Sequence, residues 1–312
     1  MNVSVFDIGS NTAKVLIAKK NLAGQLVRVA EKSFPCRLGA GLSSKLPVIT
    51  PLMIEETLNV LGRLFSFSYG FSPVKTRVVA TEALRRLSNA NALIERVREC
   101  YDETIEILSG KEEAFYVAKG LMTDSNLSSI DEFCAIDLGG GSMEIVRVEN
   151  GNCTEKLSLP LGSVVLSEKF LGDLNKKPEA GNIKELQSHI SSTLSTLCPP
   201  SMEKCSRLVG TGGSIIFLRQ LLSPSNQVNL NNYPFLIRTE IKQIADEINS
   251  LDLVQRISKF PDLPSDRADV FPSALLVILE LLKFWKLTGL NHSFHNLRYG
   301  VAEELLTSPR MG

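Results

Sequence analysis

Two aspartates recur in matching frames: VFDIGSN at 5–11 and AIDLGGGS at 135–142 each run apolar residue, Asp, apolar residue, Gly, then small polar residues. An aspartate at the end of a buried strand beside glycines puts a carboxylate next to backbone N–H groups that a phosphate can approach closely. Facing each other across a cleft, two such hairpins would hold a phosphate chain from both sides. Asp7 and Asp137 would then lie near a bridging Mg²⁺, an ion that prefers hard oxygen ligands and keeps several waters. For either turn alone an ordinary tight hairpin is the competing reading. Their repetition in frame favours the phosphate grip.

A third glycine turn, Gly210-Thr211-Gly212-Gly213-Ser214, follows the strand-like residues 207–209 and precedes the apolar run 215–222. Strand, glycine turn and helix in that order aim N–H groups and a helix dipole at an anion, with a purely structural turn as the alternative. No GxxxxGK[ST] and no GxGxxG occurs, which leaves a Walker-type NTPase and a dinucleotide fold without support. Ser109-Gly110-Lys111-Glu112 has capping-box spacing, so Glu112 suits a helix cap. Glu113 points elsewhere on the same helix. It is free either to act as general base on a water attacking a terminal phosphorus or to be a solvated surface glutamate. Arg85, Lys14 and Arg267 are candidate clamps on phosphate oxygens, Arg bidentate and Lys as a point charge, with solvated surface charge as the alternative for each. The three histidines, at 189, 292 and 295, lack partners at metal-site spacing and receive no chemistry.

The elements that must position these residues follow an α/β pattern. Residues 3–8 and 13–19 read as a strand hairpin. Thr50-Pro51 caps and opens a helix that continues through Ile54, Leu58, Leu61 and Phe65. A strand over 75–80 leads to Thr81, which is expected to cap the helix carrying Arg85. A helix over 90–100, a strand over 105–108 and the capping-box helix complete the first lobe. The polar stretch 123–131 crosses into a second lobe, which restarts with strands over 133–138 and 143–148. We place the first lobe at 1–124 plus 299–312 and the second at 125–298. Loops are expected over 172–182, 198–206, 223–234 and 260–266, and a helical tail over 297–306 could return to the first lobe.

Of the 312 residues 44% are hydrophobic and 22% charged, an ordinary globular composition. Lys+Arg and Asp+Glu both total 34, so no global field recruits a nucleic-acid polymer or an anionic membrane, and phosphate must be held by a local cluster. The most apolar stretch, 274–282, is short and reads as a buried helix. Six dispersed cysteines without CxxC pairs and an N-terminus without a secretory leader suit a reduced, cytoplasmic chain.

Taken in order, DIGSNTAKVLI at 7–17, ATEALRRLSN at 80–89, ILSGKEEA at 107–114, AIDLGGGSMEIV at 135–146, LPLGSVVLSEKF at 159–170, VGTGGSI at 209–215 and LRYGVAEELL at 297–306 resemble the exopolyphosphatase and guanosine pentaphosphate phosphohydrolase (Ppx/GppA) family. The resemblance is to a short form without the extra C-terminal helical domain. It implies a duplicated actin-like, ribonuclease-H-like α/β fold with two lobes around a central cleft. It also implies Mg²⁺-dependent hydrolysis of terminal phosphates from inorganic polyphosphate or from guanosine pentaphosphate. On that match Glu113 is the catalytic base, and Asp7, Asp137 and Glu144 are the acidic metal positions. Ser10, Asn11, Lys14, Arg85, Gly139, Gly140, Gly141, Ser142, Gly212, Gly213 and Arg267 handle phosphate. Lys14 departs from the family's arginine, Met143 and Ser214 from threonines, and Tyr299 from a glutamate. A phosphotransferase on the same fold and a non-catalytic sensor of alarmones or polyphosphate are the rival functions, and whether the chain forms a homodimer is left open.

Overall fold

The computed structural model describes residues 1–42, 44, 46–202, 204–222 and 235–308. The loop expected over 223–234 and the last four residues of the 299–312 span lie outside the described residues. The chain divides into two compact units, one joining Met1–Ser128 to the chain from His295 onward and the other formed by Ser129–Phe294.

The first unit begins with three antiparallel strands, β1 (Val3–Ile8), β2 (Thr12–Lys20) and β3 (Leu26–Pro35). α1 (Pro51–Tyr69) opens on Thr50, whose hydroxyl accepts from Met53 N at 3.2 Å, with Pro51 at its first position. β4 (Lys75–Ala80) pairs parallel with β1. α2 (Glu82–Arg86), α3 (Asn91–Tyr101), β5 (Ile105–Ile107) and α4 (Gly110–Leu121) follow, β5 lying parallel to β4. Phe65 of α1 stacks on Phe6 at 4.2 Å and on Tyr101 at 4.7 Å, so one aromatic column joins the helices to the central strand. Thr81 stands at the N-cap of α2, its carbonyl accepting from Arg85 N–H at 3.2 Å, but its side chain makes no cap hydrogen bond. The residue also prolongs the β1–β4 pairing, its N–H donating to Ile8 O at 3.3 Å, and its side chain is buried.

The second unit repeats this plan. β6 (Glu132–Leu138), β7 (Met143–Glu149) and β8 (Asn152–Leu159) are antiparallel neighbours. After α5 (Ser163–Phe170) and α6 (Ala180–Leu197), β9 (Leu208–Thr211) pairs parallel with β6. α7 (Gly213–Leu222), β10 (Phe235–Ile237), α8 (Arg238–Asn249), α9 (Leu253–Lys259) and α10 (Phe271–Phe284) lead to β11 (Gly289–His292), which lies parallel to β9. The order β3-β2-β1-β4-β5 of the first sheet thus recurs as β8-β7-β6-β9-β11, with the same parallel and antiparallel steps, and β10 is added antiparallel at the edge. Three antiparallel strands followed by two parallel ones, occurring twice, are the duplicated ribonuclease-H-like α/β architecture of the actin-like fold. The loop expected over 172–182 ends early, because α6 starts at Ala180, and 198–206 includes a 3₁₀ turn at Pro200–Met202. The apolar run 274–282 lies inside α10, whose side chains form the core with α6 and α8. No helix among the described residues is long and apolar enough to cross a membrane.

The tail is α11 (Leu297–Thr307), packed on α4 in the first unit. Close approach depends on two glycines: a Cβ on Gly120 would overlap Asn296 O, and one on Gly300 would overlap Tyr116 O. Backbone on both sides leaves nothing flexible to yield. Gly300→Ala is therefore expected to destabilise the first unit by about 3 kcal/mol, read as a lower midpoint in denaturant unfolding. An unchanged midpoint would mean that the helices can separate at little cost.

Candidate functional site

Each Asp-Gly hairpin closes by the same bond. Gly9 N–H donates to Thr12 O at 3.1 Å, and Gly139 N–H to Ser142 O at 3.0 Å. Asp7 lies opposite Lys14 across β1 and β2, and Asp137 opposite Glu144 across β6 and β7. Directly opposed residues present their side chains on one face of the sheet. The first hairpin therefore offers a carboxylate beside an ammonium, and the second offers two carboxylates.

Both turns are braced from behind by a glycine that sequence reasoning passed over. Gly39 N–H donates to Ser10 O at 2.6 Å, and a Cβ on Gly39 would stand 2.8 Å from Ser10 Cβ. Cys36 and Arg37 N–H groups both donate to Asn11 O, at 3.0 and 3.1 Å. In the second unit Ser163 N–H donates to Gly139 O at 3.0 Å and Val164 N–H to Gly140 O at 2.9 Å. A Cβ on Gly162 would overlap the Gly140–Gly141 backbone. The first N–H groups of α5, which no helical carbonyl can satisfy, are thus spent on the glycine turn and hold it in place. Ser10, Asn11 and Ser142 are buried within these turns.

The third turn meets the second hairpin directly. Gly212 has φ +94°, a left-handed conformation suited to glycine, and a Cβ there would overlap Asp137 Oδ1. A Cβ on Gly213 would lie 2.8 Å from Cζ and both terminal nitrogens of Arg267, so the guanidinium lies close over the bare Cα. Arg267 also faces the Phe217 ring at 5.4 Å. The structure therefore gathers Asp137, Gly212, Gly213 and Arg267 around the start of α7, a helix N-terminus of the kind that favours anions. Glu144 is buried, and its Oε1 accepts from Ser142 Oγ and Ser158 Oγ, both at 2.8 Å. Ser158 was not foreseen. Its position opposite Glu144 on β8 is the register that places it there.

In the first unit, Ser109 and Glu112 form the capping box: Ser109 N–H donates to Glu112 Oε2 at 2.7 Å, and Glu112 N–H to Ser109 Oγ at 3.3 Å. Glu113 is not a solvated surface residue, being only 7% exposed. Arg85 Nη1 donates to Glu113 Oε2 at 3.0 Å and to Leu108 O at 2.5 Å, while Nη2 and Nε donate to Glu82 Oε2 at 2.6 and 3.1 Å. Burial works most strongly against the Arg85 cation. Coulomb attraction to Glu113 and the hydrogen bonds to Glu82 and Glu113 outweigh it, and its pKa stands above the ordinary guanidinium value. Arg85→Ala would leave two partly buried carboxylates without their shared cation, and we expect a loss of about 2 kcal/mol in chemical denaturation. Arg85→Lys should recover only part of it, because an ammonium cannot span both acids as the fork does.

Two departures from the family pattern have a packing explanation. Met143 is fully buried in the core of the second unit. Tyr299 stacks on His295 at 4.0 Å, and burial pushes its hydroxyl up to about 12.

Residues 16–308 match the Ppx/GppA phosphatase family. The chain is similar to a guanosine-5'-triphosphate,3'-diphosphate pyrophosphatase of Vibrio parahaemolyticus serotype O3:K6, 25% identical across 98% of this chain. It spans 60% of that relative's length. Among solved structures, a Ppx/GppA family member of Aquifex aeolicus is 27% identical with a TM-score of 0.81, covering 98% of this chain and 97% of its own. An exopolyphosphatase from Cytophaga hutchinsonii, 19% identical, superposes with a TM-score of 0.85 over 98% of each chain and bears on the fold alone.

Proposed function

This chain belongs to the Ppx/GppA phosphatase family, and from that premise we propose that it hydrolyses the terminal phosphoanhydride bond of guanosine pentaphosphate or inorganic polyphosphate by attack of water. The observation that carries the reading is the division of labour at the start of α4. Glu112 is spent on the cap, and Glu113 is left as a buried carboxylate held by Arg85. A carboxylate so placed can accept a proton from an attacking water. Guanosine pentaphosphate enters through the Vibrio relative, whose named substrate it is.

The roles of the remaining residues follow from their chemistry. Ser10, Asn11, Lys14, Gly140–Ser142, Gly212 and Gly213 supply hydroxyl, amide, ammonium and backbone N–H donors to phosphate oxygens, while Gly139 shapes the turn with its N–H bonded to Ser142 O. Arg267 adds a planar cation over the third turn. Mg²⁺ suits hard carboxylate oxygens, which Asp7 offers in the first unit and Asp137 and Glu144 in the second. It binds through one or two carboxylates and substrate phosphates rather than a closed protein cage. Among the described residues no cluster of three or more His, Cys, Asp or Glu that could hold a metal ion occurs, so substrate phosphates would have to complete the ion's ligands. When bound, the ion would neutralise charge on the phosphate oxygens. With one Glu144 oxygen taken up by two serine hydroxyls, Asp137 is the better placed of the second unit's two acids to face it.

The test is phosphate release by the purified chain with Mg²⁺ from long polyphosphate, short polyphosphate, guanosine pentaphosphate and ATP. Release from polyphosphate or the pentaphosphate, abolished by a chelator, is expected. Tight binding without release would instead support a sensor, and transfer to a hydroxyl acceptor a phosphotransferase.

A further inference from the structure

Two of the six cysteines meet at one carbonyl in the second unit. Cys134 N–H donates to Arg207 O at 2.9 Å, and Cys205 Sγ–H donates to the same oxygen at 3.1 Å. Both side chains are buried, and each thiol lies close enough to influence the other's ionisation. Arg147 stands opposite Cys134 across β6 and β7, and its Nη1 reaches the carbonyls of Ser201 and Lys204, the segment that delivers Cys205. Its other terminal nitrogen pairs with Glu132 at 2.6 Å.

We propose that Cys134 and Cys205 are a modification site, a dithiol that a peroxide converts reversibly to a disulfide. Cys205 is the reacting thiol. The neighbouring Cys134 thiol and peptide groups, with the Arg147 cation nearby, lower its pKa despite burial. The neighbouring Cys205, with burial, pushes Cys134 up, which suits a resolving thiol. In the first step the Cys205 thiolate attacks one peroxide oxygen. An S–O bond forms, the O–O bond breaks, and the departing hydroxide takes a proton, leaving a sulfenic acid. In the second, Cys134 sulfur attacks the Cys205 sulfur, the S–S bond forms, the S–O bond breaks, and water leaves. Two thiols and one hydrogen peroxide give one disulfide and two waters. The bond would tie the entrance of β6 to the segment feeding β9, the two adjacent strands whose far ends carry the Asp137 hairpin and the third glycine turn.

The full chain is exposed to hydrogen peroxide, denatured in an alkylating agent, and its thiols counted and its peptides mapped without reduction. Six free thiols should fall to four, with a Cys134–Cys205 peptide pair 2 Da below the reduced sum and full recovery with dithiothreitol. Cys134→Ser should instead leave a dimedone-reactive sulfenic acid at Cys205. Thiols lost only at the exposed Cys100, or a linkage joining any other pair, would overturn the assignment. The wild-type map needs no variant to fold.

Discussion

Glu113→Gln is expected to lower the turnover of phosphate release by about 10²- to 10⁴-fold, the range that a positioned general base contributes, while binding of the phosphate ligand survives. The substitution keeps the volume, the helix and a hydrogen-bond acceptor for Arg85 Nη1. It removes the capacity to take a proton from water, together with the negative charge that pairs with Arg85. Glu112→Gln is the matched control, because the amide oxygen still accepts from Ser109 N–H and Glu112 has no place in the proposed chemistry. Single-turnover release together with equilibrium binding of guanosine pentaphosphate separates the two effects. Equal turnover in Glu113→Gln and wild type would remove the base from its assigned role without touching the fold.

Gly162→Ala should be nearly as damaging, though it alters no donor, acceptor or charge. Its new methyl would stand 2.5 Å from Gly140 C and closer still to the Gly140 carbonyl oxygen. The Gly139–Ser142 turn would have to move or α5 would have to withdraw its N–H donors from Gly139 and Gly140. Overpacking against backbone costs about 3 kcal/mol, and a displacement of about 1 Å in groups that position a substrate costs on the order of 10²-fold in rate. Gly181→Ala provides the contrast. Nothing lies within 4 Å of its Cβ, and it sits in the first turn of α6. There the substitution should stabilise by about 0.5 kcal/mol through the unfolded chain. Thermal melts and turnover for the two variants decide the point; matching values for both would show that the brace bears no strain.

What could be read from the residues, and what could not, follows the range of the forces involved. The duplicated hairpins were legible because Asp, glycine and flanking strand residues act within a few positions of one another, and the shared frame of 5–11 and 135–142 exposed the duplication. The capping box was legible for the same reason, and it separated Glu112 from Glu113. Thr81 takes the expected N-cap position without the side-chain bond, because a long-range pairing with Ile8 holds its backbone in the sheet. The pairing of Arg85 with Glu113 and the placement of Arg267 over Gly213 join distant segments and leave no local periodicity to detect. The braces at Gly39 and Gly162 had a signal that went unused. Leu38-Gly39 and Leu161-Gly162 each follow the third strand of their unit, and both leucines are fully buried. Superposing the two halves in sequence would have revealed that pair.

Water as the nucleophile is the claim on which the proposed chemistry turns, and isotope transfer tests it most directly. A single turnover of the purified chain on guanosine pentaphosphate or polyphosphate with Mg²⁺ in H₂¹⁸O is expected to place one ¹⁸O in the released orthophosphate. Unlabelled phosphate, or a terminal phosphoryl group delivered to a hydroxyl acceptor in place of water, would contradict it.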